Sequence, residues 1–217
     1  LAQGDDEEIS RAHDVLAGEA AGSPVGASGL LVLPYFNGER TPIADPLARG
    51  TIAGVTLAHT RGDLYRAILE GVAFGVRHLI ETMRGQEVPV SRLRVAGGGT
   101  SSRLAMQIVS DVIGLEQEVP EVTIGAAYGV AYLAALATGP AAERDRPSDA
   151  WVRIADRIVP DRERAPAYGE RYGLYRQLYR DTRRINHALA RSAGATGARA
   201  TGARPEMELA SSNQDHQ

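Results

Sequence analysis

The clearest periodic segment of the chain runs from Thr60 to Arg84. Apolar residues recur there every three or four positions, the spacing of a helix with one buried face. Thr60 is a suitable N-cap, Asp63 places an acid in the first turn, and Gly85 follows the last position. The pattern predicts a long amphipathic helix with an apolar stripe made of Leu64, Ile68, Leu69, Val72, Val76, Leu79, Ile80 and Met83.

Three short apolar runs lie between turn-forming residues and predict strands. The first is "GLLVLPYF", which begins at Gly29; the others are "RLRVA" and "LEQEVP". A long loop, "NGERTPIADPLARG", follows the first run, and loops of that length inside a domain are usually functional or tightly packed. Because strands alternate with helical segments, the order predicts an α/β layer in which helices cover a sheet.

Three further segments have helical spacing. Asp5–Ala21 predicts a surface helix. Leu104–Ile113 predicts a helix that Ser101 or Ser102 caps and Gly114 ends. "GAAYGVAYLAALAT" predicts a helix of small residues that allow close backbone approach, ended by the Gly-Pro that follows it.

A last helix is predicted over Glu163–Ala190. It has four tyrosines at spacings of four, three and four, which predicts one face packed on the body with the phenol groups at its rim. A ladder for stacking nucleic-acid bases is disfavoured by the charge balance. The four residues are Tyr168, Tyr172, Tyr175 and Tyr179.

The predicted organisation has four parts. Residues 1–28 are a partial surface helix and loop, 29–140 are the core of the domain, and 141–191 are a linker and the C-terminal helix. Residues 192–217 have too little apolar content to fold, so we expect a disordered tail.

Composition excludes several function classes. The net charge of −3 over 217 residues does not favour a nucleic-acid or membrane-surface partner. All 24 basic residues are arginine, so no lysine is present to hold a phosphate, and without cysteine there is neither a disulfide nor a thiolate metal site. The five histidines lack metal-ligand spacing, so we expect no metal held by protein side chains.

No apolar run approaches the ~20 residues needed to span a bilayer. The chain begins at Leu1 without a basic segment followed by an apolar one, so we expect no secretory leader. The sequence starts in mid-pattern without Met, which predicts a piece of a longer, cytoplasmic protein.

The main candidate for chemistry is the stretch from Gly97 to Ser102, between a predicted strand and a predicted helix. Gly97, Gly98 and Gly99 remove every side chain from the turn, so a ligand could touch bare backbone at a helix N-terminus. Thr100, Ser101 and Ser102 add hydroxyl groups. A purely structural turn is the alternative, since the stretch lacks both the Gly-Lys-Ser/Thr ending of a phosphate loop and the third glycine of a dinucleotide fingerprint.

Several motifs together resemble the C-terminal domain of the FGGY family of carbohydrate kinases, most closely its xylulokinases. "GERTP", "DPLARG", "AGGGTSSRLAMQIVSDVIG" and "IGAAYGVAYLAALATG" are similar to family segments, and the resemblance runs from about Gly29 to Pro140. The family signature is complete at Gly50, Ile52, Gly54, Val55, Asp63, Leu64, Ala67, Ile68, Leu69 and Glu70.

The resemblance implies an actin-like ATPase (ribonuclease H-like) fold, here incomplete, and transfer of the γ-phosphoryl group of ATP to a sugar hydroxyl, with a ketopentose such as xylulose as substrate. It implies that ATP brings Mg²⁺ with it and that Gly97, Gly98 and Gly99 lie against the nucleotide. It also implies a polar contact near adenine from Ser102, and a weaker one from Thr100.

Other parts of the family pattern are missing. The resemblance places the catalytic Asp, the threonine-bearing phosphate loop and the sugar-binding domain upstream of Leu1. We therefore expect this chain alone to lack activity, and either to self-associate, with a homodimer as one form, or to be poorly stable, because surface built for the missing half is exposed. A non-catalytic kinase remnant that serves as a binding or regulatory module is the alternative.

Two features of the sequence bear on whether the chain is part of an active kinase or a non-catalytic remnant. A commoner family form has an acid at the position of Val130, in the helix of small residues. Four acids are conceivable substitutes for the missing base, and for each of them we favour a structural role: Glu39, Asp45, Glu70 and Asp111.

Overall fold

The structure is a computed structural model that describes residues 3–138 and 151–200. The elements follow the predicted alternation of strands and helices. In chain order they are α1 (Gln3–Gly22), β1 (Leu31–Leu33), β2 (Thr51–Ala53), α2 (Arg61–Gly85), β3 (Leu93–Arg94), α3 (Arg103–Ile113), β4 (Gln117–Pro120), α4 (Gly125–Thr138), β5 (Ile154–Ile158) and α5 (Ala165–Ala200), with short 3₁₀ turns at Ala27–Gly29, Gly98–Ser101 and Arg162–Arg164.

The strands form two small sheets instead of the single layer that the alternation predicted. β1 pairs antiparallel with β2, with Leu31 opposite Ala53. In the second sheet β4 is central: it runs parallel to β3, with Leu93 opposite Gln117, and antiparallel to β5. β2 and β5 were not predicted, because neither short segment carries an apolar run that stands out from its surroundings.

The main core lies where α2, α3 and α5 meet β1. Tyr168, Tyr172 and Tyr175 are buried within it, so the prediction that these phenol groups lie at the rim is wrong. Two of the hydroxyls have buried partners, as in the 2.8 Å hydrogen bond between Tyr175 and Tyr35, and the Tyr172 hydroxyl donates to the half-exposed Glu81. The core cluster also includes Leu33, Phe74, Ile108 and Val112.

The N-terminus of α2 carries the cap that the sequence predicted. The Thr60 hydroxyl accepts from the Asp63 amide at 3.2 Å, and the Asp63 carboxylate accepts from the Thr60 amide at 2.9 Å. Further hydrogen bonds from Ser23 and Ser28 reach the same carboxylate and, with those from Thr60, lower the pKa of Asp63 strongly. One acid therefore fixes both the start of α2 and the loop that precedes β1.

α2 approaches β1 closely at Gly71. A Cβ atom at that position would lie far inside contact distance of the Val32 carbonyl oxygen and 3.3 Å from Cδ of Pro34. Backbone therefore packs directly on backbone, which only glycine allows here. Four residues later the same helix is less crowded: a Cβ at Gly75 would have as its nearest neighbour the Tyr175 hydroxyl at 3.7 Å.

The long loop before β2 is fixed to α5 through Asp45, which is 5% exposed. Its carboxylate accepts hydrogen bonds from the Tyr179 hydroxyl at 2.7 Å, from Nε2 of His187 at 2.7 Å and from the Leu47 amide at 3.0 Å. Arg183 lies 3.5 Å away. Burial alone would raise the pKa of Asp45, but these donors outweigh it and lower the pKa to about 2.

The lowered pKa of Asp45 predicts that the fold loses stability in acid. Because the pKa of Asp45 is about 2 in the folded chain and near 3.8 when unfolded, its contribution is complete above about pH 4 and is lost as the pH falls towards 2. We expect about 2 kcal/mol of the free energy of unfolding to disappear over that interval. Urea unfolding at pH 6, 4, 3 and 2 measures it, and Asp45→Asn should flatten the profile; an equally steep loss in that variant would contradict the assignment.

α4 forms as predicted, but no residue of it is buried in this structure. Val130 and Leu133 are more than 60% exposed, and the structure offers no contact that explains the valine at 130. The helix is attached through its aromatic residues: the Tyr128 hydroxyl donates to the Trp151 carbonyl at 2.8 Å, and the Tyr132 and Trp151 rings are 5.4 Å apart. Within the ranges described, no helix combines the length and apolarity needed to cross a membrane.

α5 is longer than predicted and continues to Ala200, past the boundary at which we expected the tail to begin. The predicted tail begins at residue 192, so its first residues fall within the bounds of this helix, and its disorder stays a prediction. The rest of the predicted tail, 201–217, and most of the predicted linker, 139–150, lie outside the described residues.

Candidate nucleotide site

The glycine segment lies at one end of the β3–β4–β5 sheet and is held from both sides. The Val95 amide donates to the Glu118 carbonyl at 3.0 Å, which continues the pairing of β3 with β4. The Gly97 amide donates to the Thr123 carbonyl at 2.6 Å. The chain then makes one 3₁₀ turn over Gly98–Ser101 and enters α3.

The fold requires glycine at only one of the three positions. Gly97 has φ 87° and ψ −168°, a backbone conformation that residues with a side chain avoid. Gly98 and Gly99 are not in the positive-φ region, and a Cβ at either would meet no atom of the described residues within 4 Å. Two adjacent residues therefore leave backbone uncovered on an open surface for no reason of packing.

The hydroxyl groups of the segment are engaged locally. Thr100 donates to the Gly97 carbonyl at 2.8 Å and Ser101 to the Gly98 carbonyl at 2.7 Å. Ser102 is the N-cap of α3, since its hydroxyl accepts from the Ala105 amide at 3.3 Å. Of the two serines considered for this cap, the structure selects Ser102, so its side chain has a structural task at the position where the resemblance implies an adenine contact.

The charged residues around the segment are paired. Nε of Arg94 donates to Glu118 at 2.9 Å, and this bond lowers the pKa of the Glu118 carboxyl. Arg103 contacts Asp156 at 2.5 Å and lowers its pKa in the same way. Both acids are therefore ionised and committed to arginine, so neither has the features of a general base.

The four acids considered as substitute bases have structural partners as well. Glu70 is 1% exposed and accepts from Nε of Arg66 at 2.9 Å, from the Gly26 amide at 3.0 Å and from the Tyr168 hydroxyl at 3.3 Å. It connects α2 to α5 and to the turn before β1. A carboxylate enclosed in this way is held by the fold and cannot reach a substrate.

Asp111 has a similar position on α3. It accepts from Nε2 of Gln107 at 2.7 Å, from the Asp161 amide at 2.8 Å and from Arg164 at 3.1 Å, so it anchors the turn before α5. Glu39 accepts from an amide of its own loop. Among the residues that the structure describes, no group of three or more His, Asp or Glu could hold a metal ion.

Two features of this site were not predicted from the sequence. The Thr123 carbonyl bonds to Gly97, and Gly125, the first residue of α4, lies against Ala96, the residue before the glycine segment, although more than 25 residues of chain separate these partners. The only sequence signal was the run of small residues that opens α4.

Comparison with known proteins identifies the family. Residues 2–138 match the model of the FGGY family of carbohydrate kinases, C-terminal domain. The chain is 31% identical over 170 residues to a xylulose kinase of Staphylococcus epidermidis and 38% identical over 171 residues to a ribulokinase of Mycolicibacterium smegmatis, covering 78% and 77% of this chain. It spans about a third of those relatives, 34% and 30% of their lengths.

The fold agrees with that match. The crystal structure of xylulose kinase from Rhodospirillum rubrum superposes with a TM-score of 0.71 and 36% identity, covering 82% of this chain and 36% of that one. The expected actin-like ATPase fold is therefore confirmed. From a family match over more than half of its residues and a shared fold, we conclude that the chain belongs to the FGGY family of carbohydrate kinases.

Proposed function

We propose that this chain is the C-terminal, nucleotide-binding part of an ATP-dependent sugar kinase that phosphorylates a ketopentose such as xylulose. The observation that carries the proposal is the uncovered backbone of Gly98 and Gly99 at the start of α3, in a chain that belongs to a kinase family. Relatives named for xylulose and for ribulose favour a ketopentose as the acceptor, and a relative named for glycerol, 37% identical over 153 residues, makes glycerol the acceptor to test against it.

ATP would rest on the main chain of Gly97–Gly99, where the absence of Cβ atoms lets a flat base or a phosphate approach. The positive end of the α3 dipole and the turn amides favour the negative charge of the phosphates. Thr100 and Ser102 would act chiefly by holding the turn and the helix start, since their hydroxyls already bond within the segment.

Phosphoryl transfer also needs Mg²⁺ on the phosphates and a carboxylate that accepts the sugar proton. Since the acids near the glycine segment are paired with arginine, the proposal assigns the base, the Mg²⁺ environment and the sugar pocket to the remaining parts of such a kinase. On this view the chain alone binds nucleotide in the cytoplasm but does not transfer phosphate.

The proposal is tested by an ADP-release assay on the complete gene product, with xylulose, ribulose, glycerol and gluconate as acceptors. We expect ADP formation with a ketopentose at least ~10-fold faster than with the other two acceptors, since a site built to hydrogen-bond given hydroxyls discriminates against analogues that lack them. Each reaction without acceptor is the control. ATP binding without turnover on any acceptor would favour the non-catalytic module instead.

A further inference from the structure

We infer that Gly125 is a positioning residue for the nucleotide: its missing side chain lets the start of α4 hold the glycine segment in place. The inference rests on the proposed function, because it concerns the same site. It adds a determinant that lies on a different element from the glycines and about 25 residues away in the chain.

Two contacts join the start of α4 to the glycine segment. The Thr123 carbonyl accepts the 2.6 Å hydrogen bond from the Gly97 amide. A Cβ at Gly125 would lie 3.2 Å from Cβ of Ala96, the residue that precedes Gly97. Side-chain contacts that short are rare, so any substitution at 125 would push Ala96 away by a few tenths of an ångström.

A displacement of Ala96 also displaces the glycine segment that follows it. On its N-terminal side the Val95 amide is bound to β4, and on its C-terminal side Gly97 is bound to Thr123 in a conformation open only to glycine. A push on Ala96 is therefore transmitted to Gly97 and to the turn at Gly98–Ser101. Since the proposed contacts are made by main-chain atoms, a small displacement changes them directly.

The helix itself does not need glycine at this point. Gly129 lies one turn further along α4, and within the part of the chain that the structure describes a Cβ there would meet no atom within 4 Å. A glycine-to-alanine change raises helix propensity in a helix interior, as at Gly129, and the backbone of Gly125, the first residue of α4, is outside the positive-φ region. The two differ in what the new methyl group meets, so Gly129→Ala is a matched control for Gly125→Ala.

The experiment measures ATP dissociation constants by calorimetry on the complete gene product, together with hydrogen exchange of the peptide 94–103 without nucleotide. For Gly125→Ala we expect ATP affinity to fall about three- to tenfold and exchange in that peptide to increase. The KM for the sugar should not change. For Gly129→Ala we expect neither effect, and a thermal midpoint at least as high as that of the parent protein.

A rescue makes the test specific. Ala96→Gly removes the atom that the new methyl group would meet, so the double variant with Gly125→Ala should regain most of the lost affinity. Equal affinities and exchange for the two single variants would overturn the inference while the nucleotide site stands. If the parent protein does not bind ATP, the proposed function fails, and the exchange data alone then decide whether α4 positions the segment.

Discussion

Replacing Gly98 by valine is expected to weaken ATP binding by about 100-fold while leaving the stability of the fold nearly unchanged. Stability should be preserved because the backbone of Gly98 is outside the positive-φ region and a Cβ added there has open space around it among the described residues. Binding should suffer because those atoms occupy the surface on which the nucleotide is proposed to rest. Loss of binding without loss of stability is unusual for a glycine substitution, and measuring it would identify Gly98 as part of a binding surface.

Calorimetry with ATP and thermal unfolding, both on the complete gene product, measure the two quantities. Gly98→Ala should give an intermediate loss of affinity, since a methyl group fills less of the space than an isopropyl group. The KM for the sugar acceptor is the internal control and should stay within about twofold of the parent value. Unchanged ATP affinity in Gly98→Val would remove the glycine segment from the nucleotide site.

Gly71→Ala is expected to have the largest effect on stability, a loss of about 3 kcal/mol. The new methyl group would meet the Val32 carbonyl oxygen, which is backbone of β1 and cannot move aside as a side-chain tip can. Either α2 or the β1–β2 sheet must then shift, and the contacts of α2 with β1 and with the core around Phe74 are weakened together. Urea unfolding measures the change.

Gly75→Ala is the matched control, because it makes the same substitution one turn later in the same helix. Its methyl group would be 3.7 Å from the Tyr175 hydroxyl, an ordinary contact, so we expect a gain of roughly 0.5–1 kcal/mol from helix propensity. If both variants lost the same amount of stability, the close approach of α2 to β1 would not be the cause.

Local chemistry explains most of what the sequence predicted correctly. The start of α2 depends on Thr60 and Asp63, three residues apart, and the end of α3 depends on Gly114, which adopts the left-handed conformation expected of a C-cap. Each of these capping signals lies within a single helical turn, so it can be read from neighbouring residues in the sequence. The glycine segment between a strand and a helix was visible for the same reason.

What the sequence did not predict depends on partners far away in the chain. The tyrosines of α5 were expected at the rim, but Tyr168 is buried because its hydroxyl reaches Glu70, 98 residues earlier. The division into two sheets depends on which strands pair. Because β2 has only three residues, its sequence contains too little pattern to predict its partner. In the candidate site, the close approach of Gly125 to Ala96 could not be predicted for the same reason, since the two residues are far apart in the sequence.

The packing of Trp151 against the tyrosines of α4 has a practical consequence. The chain contains a single tryptophan, so its indole emission comes from one place, next to the helix whose first residues adjoin the glycine segment. Any rearrangement of that helix when a ligand enters would change the wavelength or intensity of this fluorescence. This chain thus carries one intrinsic fluorescent reporter, and stopped-flow mixing of the chain with nucleotide tests for such a rearrangement without an added label.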